Sequence, residues 1–568
     1  MTTPTAPSPT ALADKLAMQN RLFSELSRMF GREVPLYDKS LLVNSVCNRA
    51  VCTQLGRMFK GFSLSDEQIE ATSGERHGAI RIGRPDEYRW VARFFGCFAM
   101  EPHNFYDMTN VGAKSQPIIA TAFRSRLHPE HRVFTSLLMT DYFDPATRAR
   151  IDGVLAGREV FSSRAKELIG QSEKDGGLDW TSANELIREG TERIFKWTGR
   201  ARDHGLYKDL CAAGFKIAAD IACFERHHLN HLTPNTFCMD LYTAAMKHCM
   251  GEMDGATFGT RATAALKRLN ARADHDFLEL CFKHLNRSEI STFQRVPLAA
   301  ETIPHLVEGL LKRLGEDDLV LSGLSHAGFK QYTEGPSEDT PVFLRQDAYK
   351  ALTEPVVFAN EDGSTIASSH TARFGEIEQR FYACTPKGRT LYDACLNASE
   401  ADAGANAALA ASDFEAYEAR YAGHFRPFPK SLPELLEAGL VFGVFASTEK
   451  GRTAAGTLSI TAPMDLVRSG YATYEGLRYE DFLPVSAAGI FASNLNQYGT
   501  KSTAAAKPTY SQSMLEAIMG KPIIDADAAY DAISSASLLR LYADLKLLDR
   551  LPAAERAALQ SRAALAPA

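Results

Sequence analysis

Between residues 136 and 285 the chain is rich in Ala, Leu, Lys, Arg and Glu and carries few strand signals. Near residue 317 that style gives way to short apolar runs broken by turns. Helical composition on one side of such a boundary and strand-length runs on the other predict an α+β chain, with helices concentrated early and strands late. The helical style starts near the beginning. Leu22, Phe23, Leu26, Met29 and Phe30 recur at helical spacing and stop before Pro35, which predicts an amphipathic helix. Further helix is expected over 41–55 and 303–314. Beyond 317, strands are expected at 319–324, 341–344, 356–358, 374–384 and 440–445, with Asp362-Gly363 supplying hairpin turn chemistry. The Ala/Ser-rich stretches 398–412 and 501–507 read as exposed loops or helix ends.

The 568 residues suffice for several average domains or for one large enzyme with insertions. Hydrophobic residues at 45% and charged residues at 23% give the balance of a chain that buries a core. With 63 basic against 69 acidic residues, a net charge of −6 and no basic run, no nucleic-acid partner is expected. No stretch approaches the roughly 18 apolar residues of a membrane span. The opening MTTPTAPSPTALADKL lacks the basic and apolar regions of a secretory signal. Ten cysteines are scattered from Cys47 to Cys395 without a C-x-x-C pair. That scatter predicts reduced thiols in the cytoplasm rather than a disulfide framework or a structural zinc site.

Familiar catalytic signatures, such as a phosphate-binding loop, H-E-x-x-H or G-x-S-x-G, are absent from the sequence. Three segments stand out instead. In Arg76-His77-Gly78-Ala79-Ile80-Arg81, small residues allow close backbone approach beside a histidine. Arg81 adds a cation able to grip a carboxylate through two parallel hydrogen bonds. His227, His228 and His231 place three of the fifteen histidines within five positions, and neutral imidazole is a common ligand for iron, zinc and copper. In Phe374-Gly375-Glu376-Ile377-Glu378-Gln379-Arg380, a strand would turn Glu376 and Glu378 to one side. Two buried carboxylates there need a compensating cation, and a metal would serve. Each segment also has a bland reading, as surface decoration, a polar loop or a solvated strand. Together they offer the two histidines and one carboxylate of a non-haem iron(II) facial triad.

Taken in series, these segments resemble the 2-oxoadipate dioxygenase/decarboxylase family, an offshoot of the vicinal-oxygen-chelate superfamily. The motifs are HGAIR at 77–81, NHLTP at 230–234, FGEIEQR at 374–380, TPKGRTLYD at 385–393 and LPVSAAGIF at 483–491. The resemblance implies glyoxalase-like βαβββ modules forming a metal-centred β-barrel with large helical insertions. It implies that His77, His231 and one glutamate hold iron(II). The glutamate strand is also similar to the ligand strand of 4-hydroxyphenylpyruvate dioxygenases, which favours Glu376 over Glu378. Asn230-His231-Leu232-Thr233 is similar to the opening strand of a vicinal-oxygen-chelate module, which favours His231 over His228. Arg81, as a catalytic and substrate-binding residue, and Val485 and Ser486 are implied to contact the substrate. The implied reaction converts 2-oxoadipate and O2 to 2-hydroxyglutarate and CO2, in lysine catabolism, with no separate 2-oxoglutarate. Two departures stand out: Phe381-Tyr382-Ala383-Cys384 follows Arg380, and Asn235 stands where the family usually has arginine.

The resulting organisation is a disordered tail over 1–15, then N-terminal helices with the His77 segment over 16–135. A mainly helical region with His231 covers 136–316. A strand-rich core with Glu376 and the substrate segment covers 317–550, ahead of a C-terminal tail over 551–568. Two other readings stay open on sequence alone. One is a different metal-dependent vicinal-oxygen-chelate dioxygenase or isomerase acting on another 2-oxo acid. The other is a catalytically silent, metabolite-binding homologue.

Overall fold

The computed structural model describes residues 11–74, 76–110, 115–329, 335–359, 363–483, 501–505 and 508–566. The first two helices follow the sequence pattern. Lys15–Glu33 opens on Asp14, whose side chain accepts from the Ala17 amide, and it buries Leu22, Phe23, Leu26, Met29 and Phe30. Pro35, with its φ already helical and no N–H to satisfy, starts the second helix, Pro35–Met58. Ala13, within the expected tail, is buried and bonds to the Leu178 carbonyl.

Fourteen strands follow in order among the described residues: β1 Phe59–Lys60, β2 Arg76–Ile82, β3 Glu101–Asp107, β4 Ile118–Arg124, β5 His131–Leu138, β6 Arg200–Arg202, β7 His231–Pro234, β8 Gln294–Arg295, β9 Leu344–Ala348, β10 Thr353–Ala359, β11 Thr365–Thr371, β12 Glu376–Arg380, β13 Gly443–Ser447 and β14 Ala472–Gly476. The largest sheet has the order β3-β4-β5-β2-β7, with β2 parallel to β5 and antiparallel to β7. β2, the helix Pro85–Gly96 and β3 to β5 make one complete βαβββ unit. Past β7, the Asn235–Glu378 bridge and the bond from the Thr236 amide to the Glu378 carbonyl bring in β12, which pairs antiparallel with β9.

Two expectations are corrected. Helices do not precede strands: four of the five strands in the largest sheet lie before residue 139, because segments such as β4 and β5 are buried on both faces and show no polar alternation. Nor do the described strands close into a barrel. Closure needs the two end strands to pair. Instead, the outer edge of β3 meets Ile524 through His103, and the β9 end meets Phe329 through Tyr349. The result is an open, mixed α+β arrangement.

Smaller differences have local causes. Residues 398–412 are helical, within Pro386–Ala405 and Ala407–Ser412, as alanine favours. The expected strand at 319–324 is a 3-10 turn, Asp317–Leu319, followed by turns. The strand expected over 374–384 is β12 with isolated bridges at Tyr382 and Cys384. One hydrophobic cluster runs from Ala13 to Ile523, tying the early helices and the large sheet to the segments around β9 and β12. No helix among the described residues is long and apolar enough to cross a membrane. All ten cysteines are free thiols.

Candidate metal centre

β2, β7 and β12 each bring one side chain to a common point. Across the β2–β7 ladder, Ala79 faces His231 and His77 faces Thr233, so the two histidines stand diagonally on one side of the ladder. Their rings meet nearly at right angles with centroids 5.5 Å apart. The ladder is tight at Gly78, where a Cβ would lie 3.0 Å from the His231 carbonyl. β12 adds Glu376, preceded by Gly375, whose missing Cβ leaves room for the Tyr349 ring. These glycines set how closely the three strands approach.

His77, His231 and Glu376 are buried, and one ligand atom from each lies within 4.8 Å of the others. His77 Nε2 is 3.1 Å and His231 Nε2 3.7 Å from Glu376 Oε2, which also accepts from Thr233 Oγ1 at 3.1 Å. On the far side of the His77 ring, Nδ1 lies 2.8 Å from Glu378 Oε2. Glu378 is gripped by Arg380 through two bonds of 2.9 Å, with Arg132 3.6 Å away. Glu376 and Glu378 thus flank His77, each at its own ring nitrogen.

The electrostatics separate the two histidines. Burial pulls the His77 pKa down, but Glu378 and Glu376 outweigh it and hold the pKa above the ordinary 6.5. At His231 burial dominates, Glu376 opposes it, and nearby His77 and Arg81 reinforce it, so the pKa falls to about 4. Burial would raise Glu378, yet Arg380, His77 and Arg132 keep it well below the usual carboxylate range. Phe374 stacks on His231 at 5.0 Å, and Phe482 meets His77 edge-on at 5.0 Å. Two imidazoles and a carboxylate, buried, converging and flanked by aromatic walls, are a donor set that suits a divalent transition metal. A cavity of about 740 Å³ includes none of these three residues. It is lined by Asp240, Arg268, Glu338 and Arg345, and Arg345 points away from the face that Gln346 and Ala348 share with Glu378 and Glu376.

The model of the 2-oxoadipate dioxygenase/decarboxylase family matches residues 22–260 and 305–494. The chain belongs to that family. A 2-oxoadipate dioxygenase/decarboxylase from Pseudomonas putida is 33% identical over 513 residues, covering 89% of this chain and 92% of that protein. One from Escherichia coli is 30% identical over 538 residues, covering 93% and 98%. The crystal structure of the Pseudomonas putida hydroxyglutarate synthase in complex with 2-oxoadipate superposes with a TM-score of 0.65 at 30% identity, covering 94% of this chain and 99% of that one.

In this 2-oxoadipate dioxygenase/decarboxylase family member the three neighbouring histidines part company. His231 joins the cluster, His228 Nε2 lies 3.1 Å from Asp220, and His227 is buried near Glu87 and Arg158. Arg81 shares the His77 side of β2 and is ion-paired through Nη1 with Asp220. Val485 and Ser486 lie outside the described residues, as does the segment 483–491 beyond Leu483. The TPKGRTLYD segment caps and packs a helix: Thr385 accepts from the Gly388 amide, and a Cβ at Gly388 would strike the Leu440 carbonyl. Sequence reasoning missed Thr233 and Asp220. Thr233 was detectable two residues after His231 on a strand, and Asp220 as the lone charge in the apolar run 217–223.

Proposed function

We propose that this chain is an iron(II)-dependent dioxygenase that converts one 2-oxoadipate and one O2 to one 2-hydroxyglutarate and one CO2. The observation that carries the reading is the buried convergence of His77, His231 and Glu376 in a chain of this family. These three are the metal ligands, and their nitrogen and oxygen donors without thiolate fit iron(II). Iron(II) held there would bind the 2-oxo acid and activate O2, and the electrons that reduce O2 would come from the substrate itself through loss of CO2 and hydroxylation.

The rest falls to the protein. Glu378 holds the proton on His77 Nδ1, so the Nε2 lone pair faces the Glu376 side. Phe374 and Phe482 fix the imidazole planes and exclude water. Arg81, on the same side of β2 four residues on, binds the dianionic substrate, with Val485 and Ser486 as further substrate contacts. β2, the helix Pro85–Gly96 and β3 to β5 are read as one vicinal-oxygen-chelate module, and β7, β9 and β12 as strands of a second. Ten free thiols support a reducing compartment, the cytoplasm.

The test is anaerobic loading with iron(II), then a panel of 2-oxo acids followed by an oxygen electrode and CO2 release. The expected result is one O2 consumed per CO2 released from 2-oxoadipate, with 2-hydroxyglutarate formed. Turnover only when 2-oxoglutarate is added, or product formation without O2 uptake, overturns the reading.

A further inference from the structure

Asp220 is the lone charge in the apolar run 217–223 of the helix Lys216–Cys223, and it is buried. Three other segments meet on it. Its Oδ2 takes Arg81 Nη1 from β2, and its Oδ1 lies 3.1 Å from His228 Nε2, ahead of β7, and 3.1 Å from His370 Nε2 on β11. The Tyr207 hydroxyl lies 2.9 Å from His370 Nδ1. The same hydroxyl donates to the Ser369 carbonyl at 3.3 Å, so Tyr207 holds β11 on both sides of this imidazole. Trp197 closes the group, edge-on to His228 at 4.7 Å and stacked on Phe224 at 5.0 Å. Burial pushes the Asp220 carboxyl up, yet His228, Arg81 and His370 hold it well below its usual range.

A merely structural ion pair would need only one partner for Arg81. This carboxylate instead divides its oxygens: one anchors the guanidinium, and the other lies 3.1 Å from two imidazole nitrogens. A guanidinium is a rigid planar fork, so an anchor at Nη1 fixes its plane. His77 and Arg81 are four residues apart on one strand, about 13 Å between Cα atoms at strand rise. Both side chains lie on the same face of that strand, so the clamp reading puts the far carboxylate of a 2-oxo diacid at Arg81. We propose that Asp220 is a positioning residue for substrate selectivity: it orients Arg81 toward the distal carboxylate of a 2-oxo dicarboxylic acid, and His228 and His370 fix Asp220 in turn. The inference rests on the reading of Arg81 as the substrate clamp.

The test compares kcat/KM for 2-oxoadipate and for 2-oxohexanoate, which has a methyl group in place of the distal carboxylate, in iron-loaded wild type, Arg81→Lys, Asp220→Asn and the double variant. Asp220→Asn is expected to lose roughly 10–100-fold more activity toward the diacid than toward the monoacid, mainly through KM. Iron content should be retained, and the double variant should lose no more selectivity than Arg81→Lys alone. Equal losses on both substrates, no loss, or additive losses in the double variant overturn the inference. Unchanged selectivity in Arg81→Lys overturns the clamp itself, a separate failure. If Asp220→Asn does not fold, His370→Phe carries the test, with a smaller selectivity loss expected and an equal loss on both substrates overturning it.

Discussion

His77 stands between two carboxylates with different partners, and that difference predicts how their removal separates. Glu376 faces the other histidine, whereas Glu378 balances Arg380 and Arg132 in the interior. With the proposed ligand set, Glu376→Gln should leave no tight site in a metal titration, while thermal unfolding of the metal-free protein stays level or improves. Glu378→Gln leaves buried guanidinium charge unbalanced, which costs about 3–5 kcal/mol of stability. It also weakens metal binding by roughly 10–100-fold without abolishing it. The reverse pattern would make Glu378 the ligand. The two glutamates were legible in sequence as neighbours on one strand face, with the choice between them resting on resemblance. Which ring nitrogen each approaches depends on β12 meeting β7, a contact between two motifs far apart in sequence. Asp220 stood out in sequence only as a lone charge in an apolar run, and its role was illegible for the same reason, since its partners lie on separate elements.

At the scale of elements, close strand approach governs the cluster. Gly375 precedes the ligand, and a Cβ there would sit 2.3 Å from the Tyr349 hydroxyl oxygen, inside a packed core. Gly375→Ala should cost about 1–3 kcal/mol and shift β12 enough to weaken metal binding as well. Thermal unfolding and metal titration check it together; a variant unchanged in both contradicts the view that the ring and the glycine set the strand's position. Amphipathic helices such as Lys15–Glu33 were legible because one face repeats at helical spacing. β2 to β5 were not, because a strand covered on both faces loses the alternation that marks it, and the seven residues of β4 are all buried.

Across the whole molecule, buried neutral histidines set the acid limit of stability. His103, His131 and His227 all fall to about 3, first through burial; Arg124 adds to it at His103 and Arg76 and Arg132 at His131, while at His227 Glu87 opposes it and Arg158 adds to it. In the unfolded chain each titrates near 6.5. Below that pH only the unfolded chain takes up these protons, so their contribution is whole above pH 6.5 and lost as pH falls toward 3. Each costs about 1.4 kcal/mol per pH unit in that window. Urea unfolding of the metal-free protein should show midpoints dropping from pH 7 to 5, and a flat profile would contradict it. The α+β class was legible in the change of style along the chain. The open sheet was not, because the His103–Ile524 bridge that occupies the free edge of β3 joins residues 421 positions apart.

The central claim is that His77, His231 and Glu376, brought together from three strands, hold one metal ion that receives the substrate. Anomalous diffraction at the iron edge, from crystals grown anaerobically with iron(II) and 2-oxoadipate, tests it most directly. The account predicts a single strong peak within bonding distance of His77 Nε2, the His231 ring and the Glu376 carboxylate, with the 2-oxo acid on its open side. A peak bonded to Glu378 in place of Glu376, or lying away from these strands, would contradict it.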